Sequence, residues 1–312
     1  MSSPKPAPTF IKKLLRWAII VPYLIWEFTR SNFNTFVIPN TVFGLLGAFV
    51  PAFSAVESHG PPSTKEILLR LPIILGFNWY NVLVFDLGNQ RSVESIREDV
   101  LNKPWRPIPT GKVTQDQTRR ALLLLIPISM CVNYALGVWE QAVLVPILSY
   151  LYNDLRGGDE IIRDPIISVA YAVANSASLK IAVGGRISAE AFAWVAMISG
   201  VILTTMQVQD LKDKAGDRSR GRRTVALFMG DLFSRTSIAF FVGFWSLVCT
   251  RFWDLGLVGF ALPGLSGINV IRRVLFKRST RDDSRTWKWW CLWTVALYSL
   301  PVFKMGYEPR TT

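Results

Sequence analysis

From Ala191 to Gln209 the chain runs nineteen residues without a single charged side chain. A helix of that length rises about 28 Å, close to the roughly 30 Å of hydrocarbon in a bilayer. Several further apolar blocks approach the same length, and few carry the one-sided stripe of a helix lying on a soluble core. Half of the 312 residues are hydrophobic, with 12 Trp and 19 Phe, more than one soluble core of this size needs. The pattern predicts an all-α, polytopic membrane protein embedded in the lipid bilayer.

Nine spans are expected, near residues 35–55, 67–88, 119–138, 140–153, 165–184, 190–209, 234–251, 254–272 and 287–304. Ahead of them, residues 1–34 read as a Pro-rich disordered tail, MSSPKPAPT, and a basic amphipathic surface helix from Phe10 to Phe28. Trp17 and Trp26 in that helix suit the headgroup zone. Residues 35–312 then form one transmembrane domain. With a cytoplasmic N-terminus, 28 of the 35 Lys and Arg fall on the cytoplasmic side, as the positive-inside rule requires. That distribution accounts for the net charge of +13 without nucleic acid, for which no basic and aromatic residues interleave on a soluble module.

Cys131, Cys249 and Cys291 lie inside apolar runs with no ligand spacing, so neither a disulfide framework nor a zinc site is indicated. The one histidine, His59, sits in a polar loop, which excludes a histidine-based triad. The basic run from Arg272 to Lys288 reads as an orientation determinant against anionic lipid.

Two acidic stretches fall at one membrane face. In the later one, Asp210, Asp213 and Asp217 lie within about 60° of one another on a helix. Three like charges on one face call for divalent cations, or for the neighbouring lysines and arginines, as counter-ions. In the earlier one, Asn78, Asn81, Asp86 and Asn89 share an arc of about 140° and form a polar wedge in an apolar span. Glu94, Glu98 and Asp99 follow, then Lys103 and Arg106 in KPWRPIP, whose prolines predict a stiff, extended loop. Two carboxylate sets, each trailed by fixed cations, suit a diphosphate bridged through metal ions, with the apolar bundle holding a hydrocarbon tail.

The segments Asn89 to Asp99 followed by NKPWRPIPTG, and DLKDKAGD followed by GRRTVALFMG, resemble the two motifs of the UbiA superfamily of intramembrane prenyltransferases. Their NQ and ED form, with YNDLRGGDE at Tyr152 to Glu160, is similar to the fungal UbiA-type terpene cyclases. The resemblance implies a UbiA-type bundle of about nine helices with residues 35–312 as a single catalytic domain. It further implies Mg²⁺, an isoprenoid diphosphate of C15 or C20 length, and an endoplasmic reticulum or other endomembrane home with the site facing the cytosol. Metal ligands are then sought among Asn89, Glu94, Glu98, Asp99, Asp210, Asp213 and Asp217. Lys103, Arg106, Lys212, Arg222 and Arg223 would stabilise the leaving diphosphate. Asn153 and Asp154, with Asn78 and Asn81, would line the substrate site.

The usual first motif places its last Asp eight residues after the Asn, whereas Asp99 lies ten after Asn89, and Gln90, Glu94, Glu98 form a second possible register. Cyclisation and prenyl transfer to an aromatic acceptor share the same ionisation, and a cation-binding transporter is a third class. No obligate protein partner is indicated. Trp79, Tyr80, Tyr134, Phe192, Phe244 and Trp245 are among the rings able to face a carbocation.

Overall fold

Every regular element among the described residues is helical, and the one isolated β-bridge joins Ser54 to Ile187. The computed structural model describes residues 10–55 and 61–307, with the side chains of residues 10–17 and of Tyr307 outside that description. The tail at residues 1–9, the Trp17 side chain and His59 therefore lie outside the described residues.

Helix α1 (Phe10–Asn32) passes through a π-helical turn, Phe33–Val37, directly into α2 (Ile38–Ala48). The expected boundary at residue 34 thus falls inside a continuous helical run. Helix α3 (Thr64–Gln90) starts at a capping box, in which Ser63 Oγ accepts from the Glu66 amide and Glu66 accepts from the Ser63 amide at 2.8 Å. Then come α4 (Val93–Asn102), α5 (Gln115–Ala135), α6 (Trp139–Ala142), α7 (Leu144–Asn153) and α8 (Arg163–Val183). Helix α9 (Ala189–Thr205) runs through a 3-10 turn, Met206–Gln209, into α10 (Asp210–Arg220). The chain closes with α11 (Val225–Phe228), α12 (Asp231–Phe252), α13 (Leu257–Phe276), α14 (Thr280–Tyr298) and α15 (Leu300–Tyr307).

By length and composition, four runs among the described residues can cross a membrane: α3, α8, the α9–α10 rod and α12. The other expected spans differ from these for local reasons. Helix α2 has only 11 residues. The span expected at 140–153 is divided at Val143 into α6 and α7. Helices α5, α13 and α14 each carry charged residues toward one end.

Trp194, Trp290, Trp293, Tyr298, Phe43 and Leu179 are fully buried between helices, whereas Leu69, Leu124, Leu247, Leu257, Leu265 and Ile268 point outward. An apolar exterior over an apolar core is what a lipid solvent allows and water does not. Two indole N–H groups inside the core find hydroxyl acceptors at 2.9 Å, Trp290 at Thr205 and Trp293 at Ser246. Helices α2 and α8 touch through Gly44, where a Cβ would stand 2.6 Å from the Ser178 backbone.

Arg235 of α12 is fully buried and grips both oxygens of Asp283 of α14 at 2.9 and 2.8 Å, while also bonding Val274 O at the end of α13. Three helix ends meet at that one guanidinium. Breaking such a pair from one side leaves an uncompensated buried charge and costs about 3–5 kcal/mol. Arg235→Met is expected to lose that much stability in detergent-solubilised thermal or chemical unfolding, and the double change with Asp283→Leu to recover most of it.

Candidate active site

The two acidic stretches meet because a short polar helix packs on a longer one with almost nothing between them. Ser92 caps α4 by accepting from the Ser95 amide at 3.1 Å. At the far end of α4, Asn102 donates to Asp213 O at 3.1 Å and accepts from the Gly216 amide at 3.3 Å. A Cβ on Gly216 would lie 2.2 Å from Asn102 Nδ2, so a larger residue there would displace the Asn102 amide that ties α4 to α10. Gly221, at φ 77°, then ends α10 and turns Arg222 back toward the seam.

Arginines bind the acids of this seam together. Arg222 donates to Glu98 at 3.0 Å and Asp217 at 2.9 Å, and lies 3.4 Å from Asp159. Arg220 reaches Asp159 at 2.6 Å, Ser95 at 2.6 Å and Glu98 at 3.2 Å. Arg106 takes both oxygens of Asp99, at 2.8 and 2.9 Å. Arg163, at the start of α8, holds Asp210 at 2.9 Å, Asp164 at 3.2 Å and the Tyr152 hydroxyl at 3.2 Å. The KPWRPIPTG loop is a run of tight turns and not the extended segment expected from its prolines, with Arg106 N–H bonded to Lys103 O and Thr110 N–H to Arg106 O.

Behind this seam opens a cavity with about 160 Å³ of room for the centres of water-sized molecules. Asn89, Glu98, Lys103, Arg106, Arg163, Asp213, Asp217 and Arg222 line its charged end. Phe36, Phe77, Phe85, Ile166, Ile167 and Met206 are apolar members of the same lining, together with the amides of Asn78 and Asn81. Tyr152 stands between the two regions in the sense that its hydroxyl meets Arg163 while its ring meets Phe85.

Of the expected metal ligands, Asn89, Glu98, Asp213 and Asp217 share this lining. Asp99 and Asp210 are buried against Arg106 and Arg163 and do not line it, and Glu94 is half-buried on α4 outside it. Lys212 pairs with Asp213 and lies 4.4 Å over the Trp287 ring, in a second cavity beside the first. Arg223 is exposed, 3.6 Å from Glu160. Asn153 accepts from Asn89 at 3.0 Å, and Asp154 pairs with Arg91 at the surface. None of the six rings singled out above lines the cavity; its aromatic walls are Phe36, Phe77, Phe85 and Tyr152. Arg163, Arg220 and Asp159 were not expected in the site. The RGRR run around Gly221 held a signal for Arg220, since a helix-ending glycine turns its two flanking arginines together.

Among the described residues no three His, Cys, Asp or Glu side chains form a group able to enclose a metal unaided. The donors nevertheless suit a hard cation. Asp217 Oδ2 is buried with no hydrogen-bond partner, and Mg²⁺ is commonly held by one or two carboxylates with substrate phosphate completing its shell.

The UbiA prenyltransferase family profile matches residues 45–293. This chain belongs to the UbiA family. Its relatives include the somaliensene A/B synthase of Streptomyces somaliensis, 27% identical over 291 residues, covering 89% of this chain and 93% of that one. The fumagillin β-trans-bergamotene synthase of Aspergillus fumigatus is 25% identical over 257 residues, covering 78% and 86%. A polyprenyl transferase of Hericium erinaceus is 29% identical over 228 residues, covering 70% and 72%. Among solved structures, a UbiA homolog from Archaeoglobus fulgidus bound to GPP and Mg²⁺ superposes with a TM-score of 0.57 at 10% identity, covering 91% of this chain and 99% of that one. Fold and family together make this UbiA-family chain an integral membrane enzyme, a terpene cyclase or prenyltransferase.

Electrostatics at the rim are set by burial and by the arginines. Burial and then the neighbouring Arg106 push the Lys103 ammonium below its ordinary value. Burial alone would raise Asp159, but Arg156, Arg220 and Arg222 outweigh it and leave that carboxyl below the usual 3.8. The folded protein therefore binds fewer protons at Asp159 than the unfolded chain does. Its stabilising contribution is complete above pH 3.8 and is lost as pH falls from there toward the depressed folded value. Asp159→Asn is expected to be less stable than the parent at pH 7, by on the order of 3 kcal/mol. Between pH 4 and pH 3 the variant should lose less of its remaining stability than the parent, read by unfolding in detergent at each pH.

Proposed function

We propose that this UbiA-family enzyme is a Mg²⁺-dependent terpene cyclase that ionises an allylic isoprenoid diphosphate of C15 or C20 length and closes the cation into a ring within the bundle. The observation that carries the proposal is one cavity lined both by charged side chains and by phenylalanines. A diphosphate complements the first and a hydrocarbon tail the second. Similarity to two terpene synthases along most of the chain supports the same reading.

Asn89, Glu98, Asp213 and Asp217 would hold Mg²⁺, which when bound would supply positive charge against that of the leaving diphosphate. Lys103, Arg106, Arg163 and Arg222 offset the charge that gathers on the diphosphate as its bond to the allylic carbon lengthens. Asp99 and Asp210 serve differently from the four cavity donors: they keep Arg106 and Arg163 in place. Asn153 steadies Asn89, and Lys212 and Arg223 add positive field outside the mouth. Phe36, Phe77 and Phe85 offer ring faces to the cation, and the apolar chamber keeps bulk water from quenching it. An endomembrane location, which rests on the family resemblance alone, is part of the same proposal, as is a mouth toward the cytosol, argued from the distribution of Lys and Arg.

Similarity to a polyprenyl transferase favours a second reading, prenyl transfer to an aromatic acceptor after the same ionisation. Membranes carrying the protein, supplied with farnesyl or geranylgeranyl diphosphate and no acceptor, separate the two. Release of pyrophosphate with a cyclic hydrocarbon or alcohol in gas chromatography is the expected result. Inertness until a phenol is added would establish the transferase instead. Asp213→Ala and Asp217→Ala are each expected to lower pyrophosphate release at least about a hundredfold. Turnover within about threefold of the parent in either variant would count against a metal-bound diphosphate at this mouth.

A further inference from the structure

The second cavity, beside the first, has about 930 Å³ of room for the centres of water-sized molecules. Asn32, Lys103, Gln209 and Asp213 line both cavities, so single side chains stand between them. Four cations, Lys103, Lys212, Lys214 and Arg218, line the second cavity against two carboxylates, Asp213 and Asp231, which leaves a surplus of two positive charges. Helix α12, whose first turn has no side-chain cap, begins in the same wall at Gly230. A helix start of that kind adds to the preference for an anion.

The cations of the two cavities are held differently. In the first, Arg106, Arg163 and Arg222 are each fixed by an ion pair to a buried carboxylate. In the second, Lys212 pairs with Asp213, and Lys214 donates to Asp231 at 2.6 Å. Asp231 does not depend on Lys214, because Arg235 Nε also donates to it at 2.8 Å. Lys103 and Arg218 make no ion pair among the described residues. An arginine fork fixed by carboxylates keeps its geometry, whereas a lysine ammonium is a hydrated point charge on a flexible stem.

We infer that the second cavity is a binding site for the inorganic pyrophosphate freed in the first, through which the leaving group is handed to the aqueous side. The inference rests on the diphosphate-cleaving reading and is the same for cyclisation and for prenyl transfer. When the bond from the allylic carbon to oxygen breaks, both electrons stay on the diphosphate, which becomes a separate, highly charged anion. A wall with surplus positive charge suits that anion and offers the hydrocarbon product nothing. Lys103, unpaired in the partition, keeps contact with the anion on both sides of it. Passing from fixed arginines to mobile lysines loosens the grip while the charge stays compensated.

The test uses full-length protein in phosphatidylcholine nanodiscs with Mg²⁺. The first cavity is filled with a cleavage-resistant farnesyl or geranylgeranyl thiolodiphosphate, and radiolabelled pyrophosphate is added. Retention of the analogue is measured separately, so failure of the diphosphate reading shows as neither analogue retained. With the analogue in place, the parent is expected to bind one pyrophosphate per chain, and Lys214→Gln/Arg218→Gln to bind it at least about tenfold more weakly. Displacement of pyrophosphate by the analogue in the parent, or equal affinity in the two proteins, overturns the inference. Phosphatidylserine added to the discs is expected to leave the pyrophosphate bound; its loss to the lipid would make this a headgroup site and overturn the release role. During turnover, added pyrophosphate is expected to lower kcat of the parent, but in the double variant to raise KM with kcat kept within about twofold. Equal loss of kcat in both overturns the hand-off. Should the double variant fail to reach the membrane, Arg218→Gln alone, at an exposed residue, is expected to weaken binding about threefold, and unweakened binding overturns the proposal.

Discussion

Buried carboxylates crowded at one end of an apolar bundle repel one another, and the rest of the site depends on the arginines that neutralise them without filling the cavity. Arg222 alone touches Glu98, Asp217 and Asp159, and Arg163 touches Asp210 and Asp164. Each of these guanidiniums draws at least one partner from another part of the chain, so the charges are compensated only when α4, α8, α10 and the turn after α7 are all docked. Buried ion pairs are poor sources of net stability, because desolvation consumes much of their attraction. What they supply here is placement: each arginine with several carboxylate partners has few other positions to take.

That charged end and the hydrocarbon chamber share walls, and the sharing depends on small residues. Gly216 lets α4 lie on α10, and Gly44 lets α2 lie on α8. Polar groups that would be ruinous against lipid are turned inward, where hydroxyls, amides and guanidiniums meet them.

Much of this was legible along the chain, for reasons that can be named. The uncharged run before Asp210 and the two motif segments place a charged site at the end of apolar helices, because hydrophobicity and i,i+3 or i,i+4 spacing are local properties. Which carboxylate serves which purpose is not local. Asp99 looks as available as Glu98 in sequence, and both are held by arginines, yet only Glu98 lines the cavity, while Asp99 is buried against Arg106 from seven residues away. Asp210 is taken by Arg163, 47 residues earlier, an arginine that sequence reading counts only toward orientation. Rings are harder still: Trp79 and Tyr80 follow Phe77 and Asn78 directly, but the helix turns them away from the cavity toward Thr29 and Asn133.

Helix α3 joins the two ends of the site. Residues 77, 78, 81, 82, 85 and 89 all line the cavity, a ladder of threes and fours that one helical face produces and no other regular structure can. Asp86, at the edge of the polar arc, turns aside to accept from Asn32 at 2.7 Å, which explains why only three of the four wedge residues line the chamber. A single rod therefore carries the mouth donor Asn89, the ring Phe85 and the floor amide Asn78 at separations set by the 1.5 Å helical rise alone. Loops can drift between relatives without changing those separations. The separation of Asn89 from Asn78 is fixed by counting residues along α3, which makes this helix the element on which the geometry of the whole cavity is measured.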